Sequence, residues 1–249
     1  MTSSDSSRRT VGAWSMLGAP AAAAALAGIG ADWVLLDAQH GLYDDRSILD
    51  TVARLAAMRT GHPTLVRVPA NDAAWIGRAL DAGADGVVVP MIRDAADAAK
   101  AAAAVRYAPD GTRSWGPMSA YWGGAGEDAA TANGRVTCNV MIETPGALAE
   151  VESIAATPGV DMLFVGPFDL SIALGTTHAE LLADTSPESP LRRIVAAARA
   201  AGIRSGAYGG TLEAAAALYG HGFDDVAVVV DTAVLTAAGA DSVERARNL

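Results

Sequence analysis

Five ionisable side chains in this sequence stand where short apolar runs end. They are Asp37, His40, Arg67, Glu143 and Asp169. Each run is rich in Val, Leu and Ile and is followed by a helix-compatible segment, a pattern typical of buried parallel strands. Because the carboxyl ends of parallel strands in a barrel meet at one face, we expect these five side chains to gather around one opening.

Glu143 and Asp169 are the two whose residue types point to metal chemistry. Glu143 follows the run Val136–Ile142, and Asp169 lies in Gly166-Pro-Phe-Asp-Leu-Ser171. Two carboxylates on adjacent strand ends can hold a hard divalent cation, with water and substrate oxygens completing the coordination. The simpler alternative is that each acid caps the helix that follows it. The pairing favours a metal site.

His40 lies three residues after Asp37, in a turn beyond a strand. A carboxylate that orients an imidazole fixes its tautomer and raises its basicity, which suits proton transfer. A histidine with a purely structural role is the alternative. The other histidines are less well placed, since His62 precedes a strand, His178 lies in a polar segment and His221 lies in a turn at the opposite end.

Arg67 ends the apolar run that begins at Thr64. Burying a guanidinium without an anion is costly, and its planar set of donors suits a carboxylate or a developing enolate. A structural ion pair with an aspartate is the alternative. We interpret Arg67 as the anion-binding group of the site.

The elements that position these residues alternate between strand and helix along the whole chain, in about eight units. The predicted strands are Gly12–Leu17, Trp33–Asp37, Thr64–Val68, Gly86–Pro90, Val136–Ile142, Met162–Val165, Ile203–Ala207 and Val226–Val230. Eight such units in 249 residues predict an α/β fold, a (β/α)8 barrel, as one domain over residues 11–249 behind a disordered tail over residues 1–10. No G-x-G-x-x-G opens a helix, so no nucleotide cofactor is expected.

Two long connections interrupt the alternation. Residues 108–135 contain Trp115 and Trp122, and connections of this length commonly act as lids, binding loops or subunit contacts, which stay open here. Residues 176–190 are polar and are interpreted as a plain excursion. Four aspartates that precede strands are interpreted as structural groups at the opposite end of the barrel: Asp32, Asp85, Asp161 and Asp225.

The composition limits the partners of the chain. The formal net charge is −10 and the pI is near 4.7, and no Lys/Arg cluster forms a nucleic-acid-binding face. An acidic surface is repelled by an anionic membrane, and no apolar stretch is long enough for a transmembrane helix. The single cysteine, Cys138, cannot form an intrachain disulfide, and the N-terminus lacks the apolar core of a secretory signal. Both features fit a cytoplasmic protein.

Five segments, taken together, resemble the HpcH/HpaI family of class II, metal-dependent pyruvate aldolases. They are Asp37-Ala-Gln-His40-Gly, Val66-Arg-Val-Pro69, Gly86-Val-Val-Val-Pro-Met91, Ile142-Glu143-Thr144 and Gly166-Pro-Phe-Asp-Leu-Ser171. Their order and spacing agree with the family from about residue 11 to residue 245. The resemblance, to 4-hydroxy-2-oxoheptanedioate and 2-dehydro-3-deoxyglucarate aldolases, implies a reversible aldol reaction with pyruvate or hydroxypyruvate as donor and an aldehyde as acceptor.

The resemblance also implies a role for each site residue. Glu143 and Asp169 would hold Mg²⁺ or Mn²⁺, with Co²⁺ as a further candidate, chelated by the ketone and carboxylate of a 2-oxo acid. Arg67 would stabilise the enolate oxygen. His40, paired with Asp37, would act with a metal-bound water as acid and base.

Backbone groups and subunit contacts follow from the same resemblance. The segment Gly166, Pro167 and Phe168, up to Asp169, would receive the substrate carboxylate. The family commonly forms a homohexamer, a dimer of trimers, with the last helix packed on a neighbour. Three residues would then lie near subunit contacts: Asp81, Trp115 and Trp122.

Two departures from the family and one absence bear on substrate and mechanism. The chain has Ala38 and Gln39 where the family usually has Gly-Glu, and Met141 where it often has a pocket glutamine, so donor and acceptor preference stay open. The only lysine is Lys100, in the middle of an Ala-rich segment. A Schiff-base aldolase needs a lysine on a barrel strand, so the electron sink of an aldolase reaction here would be a metal.

Two alternatives from other classes remain. One is a lyase acting on an acyl-CoA thioester, as in the related citrate-lyase-like barrels, although no basic patch for the CoA phosphates is evident. The other is a non-catalytic barrel used for binding or scaffolding. Such a barrel usually loses its ionisable mouth residues, whereas all five are present here.

Overall fold

Eight parallel strands form a closed barrel in chain order, with the last strand beside the first. The structure is a computed structural model that describes residues 9–122 and 126–249. The strands are β1 (Thr10–Ser15), β2 (Trp33–Asp37), β3 (Thr64–Arg67), β4 (Gly86–Val89), β5 (Thr137–Ile142), β6 (Met162–Val165), β7 (Arg204–Tyr208) and β8 (Asp225–Val230). The predicted α/β (β/α)8 barrel is confirmed. No helix of the described part is long and apolar enough to span a membrane.

Helices follow the strands and cover the outside of the barrel. They are α1 (Pro20–Ala27), α2 (Asp45–Met58), α3 (Ala73–Asp81), α4 (Ala95–Val105), α5 (Ala129–Arg135), α6 (Pro145–Ala149), α7 (Val151–Ala155), α8 (Pro167–Ala173), α9 (His178–Ala183), α10 (Pro190–Ala201), α11 (Leu212–His221) and α12 (Asp231–Arg247), with a 3₁₀ turn at Met118–Trp122. Most of the larger apolar cluster lies between these helices and the strands.

Three short helices lie in segments predicted without them. Residues 108–135 include α5, which begins after Asp128, whose side chain accepts the N–H of Thr131. Residues 176–190 include α9, which begins with a reciprocal cap between Thr177 and Glu180, so this segment is not irregular throughout. The third, α8, directly follows β6. Helices of five to seven residues are too short to carry an apolar period, and caps and tertiary contacts stabilise them.

The first strand begins close to the predicted start of the domain. Strand β1 begins at Thr10, one residue before the predicted start of the domain. Residues 1–8 of the predicted tail lie outside the described residues.

Four aspartates at or just before the starts of strands connect the bottom of the barrel. Asp32, Asp85 and Asp161 each accept the backbone N–H of a residue on the neighbouring strand, at 2.9, 2.8 and 2.7 Å. Asp225 pairs with Arg204 and accepts the Thr10 hydroxyl. Their predicted structural role is confirmed.

A second apolar cluster fills the interior of the barrel. It contains Trp14, Trp33, Leu35, Leu65, Val88, Met141, Phe164, Ala227 and Val230. Side chains alternate between the two faces of a strand, so the residue two places beyond an interior one also points inward. Two places beyond Leu35, Leu65 and Met141 stand Asp37, Arg67 and Glu143. The barrel pattern therefore carries three ionisable groups to the layer directly above the apolar interior.

Candidate active site

Asp37 and Arg67 form a buried ion pair at the mouth of the barrel. They end β2 and β3 and lie opposite one another in the strand register. Arg67 Nε and Nη2 donate to the two carboxylate oxygens of Asp37 at 2.9 and 2.5 Å. Burial alone would raise the pKa of Asp37, but the bonds and charge of Arg67, with donors from His40 and Trp14, hold that pKa below its usual range. The carboxylate is charged at neutral pH.

His40 lies beside this pair but is not oriented as predicted. Asp37 Oδ1 accepts the backbone N–H groups of Gln39 and His40, at 3.0 and 3.2 Å, while the imidazole belongs to an exposed residue. The expected pairing of the Asp37 carboxylate with the His40 ring is therefore corrected. The carboxylate is occupied by Arg67, and it orders the main chain of the turn that carries His40.

The turn of His40 is held from both sides. Leu42 N–H donates to the carbonyl of Met16 at 2.7 Å, on the loop after β1. A Cβ on Gly41 would lie 2.3 Å from the Asp37 carbonyl oxygen, so only glycine fits this close approach. The imidazole thus extends from a constrained turn at the rim.

Trp14 supports the ion pair from below and was not among the predicted site residues. Its Nε1 donates to Asp37 Oδ2 at 3.1 Å, and the Arg67 guanidinium carbon lies 5.0 Å from the centre of its ring. Arg67 Nη1 makes no hydrogen bond to the described residues. Asp37 and Trp14 therefore fix the guanidinium and leave one donor nitrogen for an incoming group.

Glu143 is buried and has no cationic hydrogen-bonding partner in the part of the chain that the structure describes. Its Oε1 accepts the backbone N–H of Met91 at 2.7 Å, and its residue is only 3% exposed. Met91 adopts φ +57°, a left-handed conformation that is costly for a residue with a side chain. The loop after β4 is thus held in a strained conformation that presents this N–H to the carboxylate.

Asp169 is the second carboxylate at this place. It lies in the first turn of α8 and is exposed. Burial and the charge of Asp169 raise the pKa of Glu143, and the Met91 N–H and the Arg67 charge only partly oppose them. The structure therefore brings the two predicted carboxylates close enough for their negative charges to repel one another.

The segment before Asp169 is shaped around Glu143. Gly166 precedes α8, and a Cβ there would lie 2.6 Å from Glu143 Oε2 and 3.1 Å from Met141 Cε. Pro167 is buried at the first helical position, whereas Phe168 is 50% exposed. Met141 is 1% exposed within the interior cluster, so it forms the floor beneath Gly166 rather than an open wall of the pocket.

Further polar and aromatic groups at this face were missed from sequence. Tyr208 ends β7, its ring lies 5.1 Å from that of Trp14, and burial raises its pKa. Asp231 follows β8 and accepts bonds from Ser15 Oγ and from the backbone N–H of Met16. Applying the strand-end rule to β1, β7 and β8 as well would have found Ser15, Tyr208 and Asp231.

The predicted subunit-contact residues lie on the outside of the barrel. Asp81 accepts a bond from Arg113 Nη2 at 2.7 Å, and Trp115 lies half-exposed with its ring 5.0 Å from that of Tyr107. The side chain of Trp122 falls outside the described part of the structure. No partner chain is involved in these contacts, so their subunit role stays a prediction.

Sequence and structural comparisons identify the family of the chain. The HpcH/HpaI aldolase/citrate lyase family model matches residues 10–238. The hydroxypyruvate/pyruvate aldolase of Paraburkholderia phytofirmans is 36% identical over 243 residues, 95% of this chain and 93% of that protein. The 4-hydroxy-2-oxovalerate aldolase of Novosphingobium aromaticivorans is 39% identical over 201 residues, 78% of this chain and 75% of that protein.

Solved structures agree as well. The crystal structure of an HpcH/HpaI aldolase/citrate lyase family protein from Burkholderia cenocepacia J2315 has a TM-score of 0.87 at 35% identity, and the match covers 98% of this chain and 96% of that one. Citrate lyase structures align with TM-scores of 0.60 and 0.57 at 22% and 20% identity, a likeness of fold alone. We conclude that the chain belongs to the HpcH/HpaI aldolase/citrate lyase family and is a carbon–carbon lyase of the aldolase type.

Proposed function

We propose that the chain catalyses reversible aldol addition and cleavage of 4-hydroxy-2-oxo acids, with pyruvate or hydroxypyruvate as enolate donor and an aldehyde as acceptor. One observation carries the proposal: the Asp37–Arg67 ion pair and the carboxylates of Glu143 and Asp169 occupy the same mouth of the barrel. The printed activities of the relatives at 36% and 39% identity support this substrate class.

The two carboxylates fit a divalent cation, which we propose to be Mg²⁺ or Mn²⁺. Glu143 is buried with a backbone N–H as its hydrogen-bond donor, and the charge of Asp169 raises its pKa further. A cation would remove that repulsion. Gly166 leaves space beside Glu143 Oε2 that a side chain would fill. Within the described residues no group of three or more His, Cys, Asp or Glu is arranged for a metal, so water and substrate would supply the remaining ligands.

The chain's own residues would bind and orient the donor. When bound, the cation would polarise the ketone and stabilise negative charge on its oxygen. Arg67 Nη1 would donate to the same oxygen as the enolate forms, because Asp37 holds the rest of the guanidinium in place. The first-turn N–H groups of α8, at Phe168 and Asp169, lack intrahelical acceptors and would receive the donor carboxylate.

Proton transfer is assigned to His40. Its ring would remove a proton from C3 of the donor, C3 of the enolate would attack the aldehyde carbon, and the imidazolium would give the proton to the alkoxide formed on the aldehyde oxygen. In cleavage the imidazole would take the proton from that hydroxyl, and the imidazolium would protonate C3 of the enolate. Asp37 would act here as a positioning residue, since its bonds to the backbone at Gln39 and His40 fix the turn.

We also propose a homo-oligomer, specifically a hexamer built as a dimer of trimers. The support is α12, in which residues 233–247 are all exposed. Val234, Leu235 and Val243 are among its exposed apolar side chains, and a long exposed apolar surface is typical of an interface. Subunit roles for Asp81 and Trp115 are part of this proposal. A cytoplasmic location, and the exclusion of nucleic acid and membrane as partners, stay predictions from composition.

The test of the function is an aldol assay with chelator-treated protein. Pyruvate and hydroxypyruvate are each supplied with an uncharged aldehyde, first after EDTA treatment and then with Mg²⁺ or Mn²⁺ restored. We expect aldol activity that is lost with EDTA and returns when the metal is restored. Activity that survives complete metal removal would contradict the metal mechanism. Turnover of a CoA thioester, with silence on both 2-oxo acids, would favour the acyl-CoA lyase instead.

A further inference from the structure

A continuous series of aromatic rings extends from the ion pair to the rim of the barrel. The ring of Trp14 lies 5.1 Å from that of Tyr208, and Tyr208 lies 6.5 Å from Phe168. Phe168 is stacked on His178 with ring centres 4.0 Å apart and planes inclined by only 5°. The first ring of the series, Trp14, donates its indole N–H to Asp37. The series therefore forms one wall beside the reacting groups.

The outer part of this wall is exposed to solvent. Phe168 is 50% exposed although its ring is fixed by His178 on one side. Met91, whose N–H binds Glu143, is 54% exposed nearby. Two large apolar residues thus neighbour the carboxylates along the chain or through the backbone, since Phe168 precedes Asp169 and Met91 donates its N–H to Glu143. Half-exposed rings held in place provide apolar contact area at low entropic cost.

The charges at the site are unsuited to a second anionic group. Among the described residues, Arg67 is the cation whose charge lowers the pKa of Asp37, Glu143 and Tyr208. Two of its nitrogens are already bonded to Asp37. Arg93, which follows β4, is bonded to Asp97 through both Nε and Nη2. Two carboxylates offset the charge of a bound divalent cation, and Arg67 Nη1 is assigned to the enolate oxygen, so an acceptor carboxylate at the site would find no further free guanidinium among the described residues.

His178 adds no positive charge to the wall. Its Nε2 is buried without a hydrogen-bond partner among the described residues, and burial lowers its pKa. A neutral imidazole stacked face to face behaves as an aromatic surface. His178 therefore supports Phe168 by packing and offers no attraction to an anion.

We propose that the acceptor is an aldehyde with an uncharged, apolar substituent, which lies against Tyr208 and the Phe168–His178 stack. This inference rests on the proposed aldolase function and names the class of its second substrate. Phe168 and Tyr208 contact the substituent, and His178 is a positioning residue behind Phe168.

The test compares two aldehydes of the same shape, benzaldehyde and 4-carboxybenzaldehyde, with pyruvate as donor on the metal-loaded protein. The expected kcat/KM for benzaldehyde is higher by at least about tenfold, because a carboxylate that loses water without a cationic partner is penalised. Exchange of the pyruvate methyl protons with D₂O, followed by NMR without any aldehyde, measures donor activation separately. Equal or reversed preference with intact exchange overturns the inference and leaves the aldolase function standing. Absent exchange overturns both.

Variants of His178 test the wall itself. His178→Ala should lower kcat/KM for benzaldehyde by about three- to tenfold more than it lowers the exchange rate, since an aromatic pair has about that effect. His178→Phe keeps the stack and should restore the ratio. His62→Ala, at the opposite end of the barrel, is the matched control and should leave both rates at the wild-type level. A His178→Ala protein that folds and keeps the wild-type ratio would contradict the proposal.

Discussion

The carboxylate of Asp37 and the guanidinium of Arg67 face one another across neighbouring strands and share two hydrogen bonds, of 2.9 and 2.5 Å. Both groups are almost inaccessible to water, with side-chain exposures of 0% and 9%. A buried pair of this kind is expensive to break, because the group left behind keeps an uncompensated charge. We therefore expect the pair to contribute to stability as well as to the proposed chemistry.

Replacing one member of the pair tests that dual role. Asp37→Asn should lower the free energy of unfolding by about 3–5 kcal/mol and should also reduce donor activation, because Arg67 loses its orientation. Urea unfolding and pyruvate exchange measure the two effects. Asp45→Asn is the matched control, since Asp45 pairs with Arg78 on the surface and exposed pairs contribute about 0–1 kcal/mol. Equal destabilisation by both variants would contradict the assignment.

The contribution of Asp37 to the free energy of unfolding should decrease at acidic pH and not at neutral pH. Its pKa in the folded state lies below the ordinary value of 3.8, so its stabilisation is present above the unfolded pKa and is lost as pH falls through the folded pKa. The stability difference between wild type and Asp37→Asn should be constant from pH 6 to 8 and shrink only below about pH 4. A stability difference that shrinks between pH 8 and 6 would mean that the titration of another group is responsible.

Gly166 is expected to be indispensable for the carboxylate site. A Cβ in Gly166→Ala would lie 2.6 Å from Glu143 Oε2 and would displace that carboxylate. Metal affinity, measured by titration calorimetry, should fall by about tenfold or more, as for other supporting groups of metal sites. Gly77→Ala is the control, because nothing lies within 4 Å of its added carbon. Unchanged metal affinity in Gly166→Ala would count against the site.

Chemical labelling of the Cys138 thiol should measure the unfolding of the chain. It is fully buried, and burial with the nearby charge of Asp161 raises its pKa to about 12. The thiolate is the reactive form, so a disulfide reagent should label native protein only as fast as the chain opens. In urea the expected result is rapid labelling of one thiol per chain. Rapid labelling of the native protein would contradict the buried position of this strand.

The exposed surface of α12 predicts a loss of assembly when it is charged. Leu235→Glu should reduce the mass measured by sedimentation from that of the oligomer towards that of a single chain, because Leu235 is an exposed apolar residue of this helix. Ile29→Glu introduces the same change at an exposed apolar residue outside α12 and should leave the mass unchanged. A wild-type protein with the mass of one chain would contradict the oligomer.

Sequence reasoning found the barrel and the five ionisable groups because both depend on a repeated local pattern. Apolar runs with acids or bases at their ends placed Asp37, Arg67 and Glu143 at the correct strand positions. The pairing of Asp37 with the His40 ring was wrong because closeness along the chain suggested it. The strand register instead places Arg67 opposite Asp37, and the register is not visible in one strand alone.

Other features could not be predicted because they depend on tertiary contacts. The left-handed conformation of Met91 follows from its bond to Glu143, 52 residues away. The stack of Phe168 on His178 depends on the position of α9. This helix has only six residues and is too short to show an apolar periodicity in the sequence. Trp14 was counted among strand residues, and only the closed barrel brings it beneath Asp37.

The most direct test of the proposed metal site measures how many Mn²⁺ ions bind per chain and how tightly they bind. Free Mn²⁺ is measured by electron paramagnetic resonance in titrations of wild type, Glu143→Gln, Asp169→Asn and the exposed control Glu188→Gln. We expect one bound ion per chain in wild type and in the control, and an affinity at least about tenfold lower in the other two variants. Equal Mn²⁺ binding by all four proteins would contradict the assignment of Glu143 and Asp169 as the metal site.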